Sequence, residues 1–428
     1  AELDPLGVTG DDGEANDPVA AMSSRSHAPG PLSESSTCRR RAWARSPPGI
    51  SSSRQVHWPP ELPGVLRRAS ESRPRGSCAG ATVAWLDDWA LYAALKHEAG
   101  GRSWLDWPAA LRRCDPQAVR EARQRLAEEI SFHIFVQFLL AGQLDALRDE
   151  AARCGVRLLG DLPYYPALDS ADVWSRRDLF DLDETGRPRH VAGVPPDAFA
   201  ASGQLWGNPT YRWERHAAEG YRWWIDRVGA SLRFVDCLRL DHFRGFADYW
   251  AVPAGERTAA GGRWVDGPGE ALFDALREAL DGLPFVAEDL GHITAKVRSL
   301  RRAVDIPGMR VLQFAFETPD SEHRPDRVPE DSVIYTGTHD NDTTRGWFSR
   351  LRGAERRRAL AQLRPGDLES VHLAMLQTAL ESDARWAVAP AQDLLGLDSD
   401  ARLNTPGSSG GQWTWRLEEI PGGDLAQA

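Results

Sequence analysis

The stretch Phe234-Val235-Asp236-Cys237-Leu238-Arg239-Leu240-Asp241-His242-Phe243-Arg244-Gly245 carries an apolar run that ends on a carboxylate. Two further runs end the same way: Phe285-Val286-Ala287-Glu288-Asp289-Leu290-Gly291 and Val333-Ile334-Tyr335-Thr336-Gly337-Thr338-His339-Asp340-Asn341. Short apolar runs rich in β-branched and aromatic residues and closed by glycine read as buried strands. An acid at the carboxyl end of such a strand sits in the usual catalytic position of a parallel barrel. Three of them can converge on one bond. Two carboxylates flanking a bond, with a third to stabilise charge, suit the breaking of a glycosidic link.

Working outward, six runs read as strands: 156–160, 234–240, 285–287, 311–316, 333–335 and 386–389. Helical spacing falls between or beside them at 221–232, 269–280, 294–303, 355–363 and 368–380. Connections of that length imply parallel pairing. An acid follows each run: Asp161, Asp241, Glu288, Glu317, Asp340 and Asp393. A ring of polar strand ends favours an α/β fold of the TIM (β/α)8 type over a doubly wound sheet, which binds at one crevice. Six strands are two short of eight, so the barrel is expected to be incomplete. Ahead of it, 85–98 predicts a helix closed by Gly100-Gly101, and 118–152 predicts a long amphipathic one with a kink or break at Gly142. The expected division is 1–80 disordered, 81–155 a helical subdomain, and 156–428 the catalytic region with an insertion at 161–220. Residues 1–80 are rich in Ser, Arg, Pro and Gly and hold too little apolar surface to offset ordering entropy.

The net charge of -11 argues against nucleic acid or an anionic membrane as partner. The most apolar stretch, 130–142, is too short to span a bilayer and carries His133 and Gln137. Five widely spaced cysteines without a C-x-x-C argue against a disulfide framework or zinc site and for a reducing compartment. The 17 tryptophans stand out. Indole faces stack on sugar rings, although core or subdomain packing is the expected role of most of them.

Each acid has two readings. Arg239 shares a strand face with Asp241 and would hold that carboxyl ionised, as a nucleophile requires; alternatively the two make a structural ion pair and cap. Glu288 would need a raised pKa to act as a general acid, with Asp289 and Asp241 as the nearby anions; alternatively it is a plain strand end. Asp340, beside His339, could grip sugar hydroxyls; alternatively it belongs to a polar loop in which Asp342 or Thr343 caps a helix. His242, His292 and His339 lack metal-ligand spacing, so no metal is expected. The peptides 193–197 and 203–211 read as an irregular Gly/Pro loop presenting Phe199, Trp206 and Tyr211.

Together these peptides resemble the 4-α-glucanotransferases of the amylomaltase type, related to the α-amylase clan. The resemblance runs from about Trp85 through Gly160-Asp161-Leu162-Pro163, 169–174, the 193–211 loop, the three acid peptides, 311–316, Gln392-Asp393-Leu394-Leu395, Asn404-Thr405-Pro406-Gly407 and Trp413-Thr414-Trp415-Arg416. It implies Asp241 as nucleophile, Glu288 as acid/base and Asp340 as transition-state stabiliser. It implies sugar contacts from Asp161, Arg239 and His339, and an acceptor-side lid holding Phe199, Gln204 and Trp206. It also implies a retaining mechanism on maltooligosaccharides and α-1,4-glucans, without metal or cofactor, in the cytoplasm. The family places two strands and a Ser-Pro-Tyr-Gln segment ahead of the helix at Trp85, and residues 1–80 contain none of them. The expected function is therefore glucan transfer, with an inactive truncated glucan binder or an amylase-clan hydrolase as the alternatives.

Overall fold

The computed structural model describes residues 81–196, 201–364, 370–408 and 410–417. The disorder expected for 1–80, and Phe199, lie outside the described residues. Among the described residues six parallel strands follow one another in chain order. The first sheet is β1 (Leu159–Leu162), β4 (Cys237–Leu240) and β7 (Phe285–Ala287); the second is β8 (Gly308–Val311), β9 (Ser332–Tyr335) and β10 (Trp386–Val388). The two meet where Ala287 N donates to Pro307 O at 2.8 Å. Between β1 and β4 lie β2 (His190–Val194) and β3 (Gln204–Pro209), which with β5 (Asp248–Pro253) and β6 (Arg263–Asp266) form an antiparallel sheet in the order β3-β2-β5-β6.

Period-two alternation sorts the parallel strands into two faces. Cys237, Val286, Met309, Val311, Val333 and Tyr335 pack together on one face, inside the curve of the sheet. The alternate residues Leu238, Leu240, Phe285 and Ala287 face outward and join a core with the helices Ala81–Glu98, Arg222–Leu232 and Glu270–Leu280. That core runs without a break from Leu91, Trp104 and Trp107 to Val304, so residues of the 81–155 region share it with the strands.

Several expectations are corrected. The run 311–316 is not a strand: β8 ends at Val311 and Leu312–Phe316 is a 3-10 helix. The long helix breaks at Leu126, between Pro116–Arg125 and Ala127–Arg153, while Gly142 lies inside a continuous helix. The helix Ala127–Arg153 has 27 residues and is long and apolar enough, by length and composition, to cross a membrane. The apolar run 130–142 looked too short because it was bounded at charged residues, and the helix continues through them. Here that helix packs on Ala81–Glu98. Two of its residues are ion-paired at the start of β4: Arg148 with Asp236 at 3.2 Å and Asp145 with Arg233 at 3.0 Å.

The Gly/Pro stretch also proves more regular than expected. Residues His190–Val194 and Gln204–Pro209 pair as antiparallel strands rather than as an irregular loop. Gly193 is required there, since a Cβ would lie 2.3 Å from Gln204 O. The excursion expected at 161–220 is completed by β5 and β6, which come after β4.

Candidate active site

The inward column of β4 runs Cys237, Arg239, Asp241, and that of β7 runs Val286, Glu288. The apolar interior therefore ends in charged residues at the carboxyl rim. Register sets Asp161 of β1 directly beside Arg239. The Arg239 guanidinium donates to both Asp161 oxygens, Nε to Oδ1 at 2.9 Å and Nη2 to Oδ2 at 2.5 Å. The same Nη2 stands 3.5 Å from Asp241 Oδ1. Burial works against the arginine's charge, but Asp161, Asp241 and Glu288 outweigh it and hold it firmly protonated.

Arg239 was expected to hold Asp241 below the ordinary carboxylate range. The structure reverses this: burial pushes Asp241 up to about 6, and Asp161 and Asp340 add to the push while Arg239 opposes it. The guanidinium is already committed to a bidentate pair with Asp161, which leaves Asp241 the longer contact. The Asp241 side chain is 44% exposed to the cleft, so the upward push comes from surrounding walls rather than full enclosure. Expelling cleft water would strengthen it.

Glu288 follows β7 and is held by backbone groups. Its Oε2 accepts from His242 N at 2.9 Å and its Oε1 from Leu290 N at 3.1 Å. Phe243 N donates to Glu288 O at 3.1 Å, and Glu288 N donates to Leu240 O at 3.0 Å. The acid is thus bonded to the residue after Asp241. Burial, then the charge of Asp241, pushes Glu288 up to about 8. Of the two anions expected to help, Asp241 does so and Asp289 adds little. Asp289 faces the other way. It is buried, accepts from Met309 N at 2.7 Å, and lies 3.4 Å from Arg301 and 3.7 Å from Arg310.

Asp340 stands in the loop after β9, ahead of the helix Thr344–Arg350, whose cap is Thr343. His339 Nε2 lies 3.3 Å from Asp340 Oδ2, Asn404 Nδ2 donates to Oδ1 at 2.6 Å, and Arg402 Nη2 donates to the main-chain oxygen at 2.6 Å. Burial pushes this carboxyl up, but His339, Asn404 and Arg239 together prevail and hold it below the usual range.

The structure therefore brings Asp161, Arg239, Asp241, Glu288, His339 and Asp340 together. Gln204 and Trp206 of β3 join them from the antiparallel sheet. Trp206 is 38% exposed, donates Nε1 to Gln204 Oε1 at 3.1 Å, and meets the His242 ring edge-on with centroids 4.8 Å apart. Two acids expected at the rim are elsewhere. Asp393 is buried and accepts from Thr336 Oγ1 at 2.6 Å and Thr344 N at 2.7 Å, and Glu317 lies past the 3-10 helix near Glu355. Sequence reasoning assigned no role to Asn404 or Trp413. Trp413 is 40% exposed and lies 5.1 Å from the His339 ring. Both sit in peptides quoted for the resemblance, but nothing local ties Asn404 to an acid 64 residues earlier. Among the described residues no group of His, Cys, Asp and Glu could hold a metal ion.

A parallel β/α sheet that gathers carboxylates and exposed indoles at its strand ends is the architecture of a carbohydrate-active enzyme. Comparison with known proteins makes this specific. The family model described as 4-alpha-glucanotransferase matches residues 76–421. A 4-alpha-glucanotransferase of Aquifex aeolicus is 48% identical over 337 residues, covering 78% of this chain and 69% of its own. One of Thermus thermophilus is 46% identical over 346 residues, covering 79% and 69%. The structure of an amylomaltase from Streptococcus agalactiae in complex with acarbose superposes with a TM-score of 0.77 at 35% identity, covering 80% of this chain and 70% of that one. The chain belongs to the 4-alpha-glucanotransferase family.

Proposed function

We propose that this chain transfers α-1,4-glucan segments between maltooligosaccharides by a retaining double displacement. Asp241 attacks the anomeric carbon while protonated Glu288 gives its proton to the departing glycosidic oxygen. The donor segment is left as an ester on Asp241. Glu288, now anionic, takes the proton from the 4-hydroxyl of an incoming glucan, whose oxygen displaces Asp241 and restores both residues. Asp340 stays ionised and steadies the oxocarbenium-like transition state. Asp161, Arg239 and His339 hold sugar hydroxyls. Gln204, Trp206 and Phe199 cover the acceptor side, and transfer outruns hydrolysis because the acceptor is held and water displaced. No metal or cofactor takes part.

The observation that carries this reading is the bonding of the Glu288 carboxyl to His242 N, next to Asp241, with Arg239 reaching Asp161 and Asp241 beneath them. Separated ionisation, Asp241 near 6 and Glu288 near 8, supports it, since one acid must be charged while the other is neutral. Incubation with maltotriose is expected to give glucose and oligomers longer than the substrate. Glucose and maltose without longer products would instead identify a hydrolase.

We also infer an incomplete barrel, two strands short of eight. Among the described residues β1 and β10 each pair on one side only, which supports this, together with exposed Val156 ahead of β1, exposed Leu159 within it, and Leu373 and Leu380 on the helix packed against β10. That one-sided pairing favours a second reading, a glucan binder without turnover. One cooperative thermal transition accompanied by transfer would dismiss it. A cytoplasmic setting is inferred from five widely spaced cysteines without a C-x-x-C, which suit a reducing compartment.

A further inference from the structure

Glu288 and Asp289 leave β7 on opposite faces, and they are held by different means. Glu288 accepts from two main-chain N–H groups, those of His242 and Leu290. Asp289 is fixed from behind, at the seam between the two parallel sheets. There Ala287 N donates to Pro307 O at 2.8 Å. Two residues further along β8, Met309 N donates to Asp289 Oδ1 at 2.7 Å, so a side chain closes the seam beyond the end of β7. Arg301 Nε lies 3.4 Å from Oδ2 and Arg310 Nη1 lies 3.7 Å from Oδ1, with Glu322 on Arg310 at 3.7 Å. Arg301 is itself pinned, donating to Ile306 O at 2.9 Å and to Asp331 Oδ2 at 3.0 Å. The packing is close enough that a Cβ on Gly308 would stand 2.5 Å from Asp289 Oδ2.

We propose that Asp289 is a positioning residue for the proton donor: clamped at the seam by Met309 N, Arg301 and Arg310, it holds Glu288 in the direction from which the leaving oxygen is protonated. The proposal rests on the glucan-transfer reading, in which Glu288 supplies that proton. A buried carboxylate matched by two arginines is costly to move, because displacement leaves the charges unpaired. Chain geometry then fixes the residue before it. With Asp289 held against β8, the Glu288 side chain must leave on the opposite face, where His242 N and Leu290 N receive it. A general acid works only within hydrogen-bond reach of its target, and a misplacement of about 1 Å can cost on the order of a hundredfold. Asp289 faces away from the cleft, so its effect passes through the main chain it shares with Glu288.

The test is Asp289→Ala with two donors: maltotriose, whose leaving oxygen needs a proton, and maltosyl fluoride, whose leaving group does not. The kcat on maltotriose is expected to fall about ten- to a hundredfold, while the first turnover of fluoride release is largely kept. Asp289→Asn keeps an oxygen for Met309 N and should recover part of the loss. An equal or larger fall on maltosyl fluoride, the mark of general damage, overturns the proposal, and so does no fall on either donor. Should the alanine variant fail to fold, Gly308→Ala drives a methyl group against Asp289 Oδ2, and the same split between donors decides. If the unaltered protein gives only glucose and maltose from maltotriose, the transfer reading falls, and the split is read on hydrolysis, which needs the same proton. If it turns over neither donor, a crystal structure of the variant decides: a Glu288 carboxyl drawn away from His242 N upholds the positioning, and one that stays in place overturns it.

Discussion

The loop after β7 and the loop after β9 each deliver a carboxylate to one cleft, and they leave them in opposite states. Glu288 accepts hydrogen bonds from two backbone N–H groups and faces the charge of Asp241, so burial carries it up to about 8. Asp340 is less deeply enclosed, and His339 and Asn404 address its two oxygens and hold it ionised. Residue type does not separate the roles. What separates them is the depth of burial and whether a side-chain donor or a like charge stands opposite the carboxyl.

The largest effect is expected at Asp241, whose charge raises Glu288 and which is itself raised by Asp340. Asp241→Asn should lower transfer on the order of 10^4- to 10^6-fold, and Glu288→Gln by about 10^2- to 10^4-fold. A maltosyl fluoride donor, whose leaving group needs no proton, should restore the first step of the Glu288 variant and not that of the Asp241 variant, read as fluoride release. Equal rescue of both would remove the division of labour. On the β9 side, Asn404→Ala deletes a donor to a charged oxygen. The expected loss in kcat is about tenfold to a hundredfold, from the usual worth of a charge-assisted bond, and steady-state kinetics would show it. Loss confined to KM would mean that Asn404 serves binding alone.

The pH profile sharpens the same contrast. Asp241 must be ionised and Glu288 protonated, so kcat/KM should fall below about 6 and above about 8. Asp161→Asn removes an anion that raises Asp241 and frees Arg239 toward it, so the acid limb should move to lower pH. An acid limb that moves upward would contradict this electrostatic arrangement. The smallest effect is on stability. The folded pKa of Glu288 is raised from 4.5 to about 8. Its neutral form favours the fold fully below 4.5, and that contribution is lost as pH rises through about 8. Relative to Glu288→Gln, the unaltered protein should therefore lose Tm between pH 5 and pH 9, measured by scanning calorimetry.

Much of the site could be read before any coordinates. Period-two alternation predicts that Arg239 and Asp241 share a face, and four of the strands, Cys237–Leu240, Phe285–Ala287, Ser332–Tyr335 and Trp386–Val388, lie on the apolar runs that predict them. The run 311–316 failed because Leu312, Phe314 and Phe316 suit a buried 3-10 turn as well as a strand, and only packing against Phe348 and Leu363 distinguishes them. The β2–β3 pairing was hidden because Gly193 and Pro195 signal a loop locally, while the hydrogen bonds that make it a sheet come from residues ten or more positions away. Asp289 was expected to act on Glu288 because it is adjacent in sequence. In a strand, adjacency sends the side chain to the opposite face, where Arg301 and Arg310 receive it.

The sequence alone determined that Asp241, Glu288 and Asp340 each follow a strand, that they come from three different loops, and which family their flanking peptides resemble. Those features are local, set by the alternation of side chains and by the few residues around each acid. Tertiary structure decided the ionisation order of Asp241 and Glu288, the diversion of Arg239 to Asp161 and the grip of Asn404 on Asp340. Each of these depends on burial or on charges brought together across tens of residues. A carboxyl group responds to what surrounds it in space, and chain order does not record that.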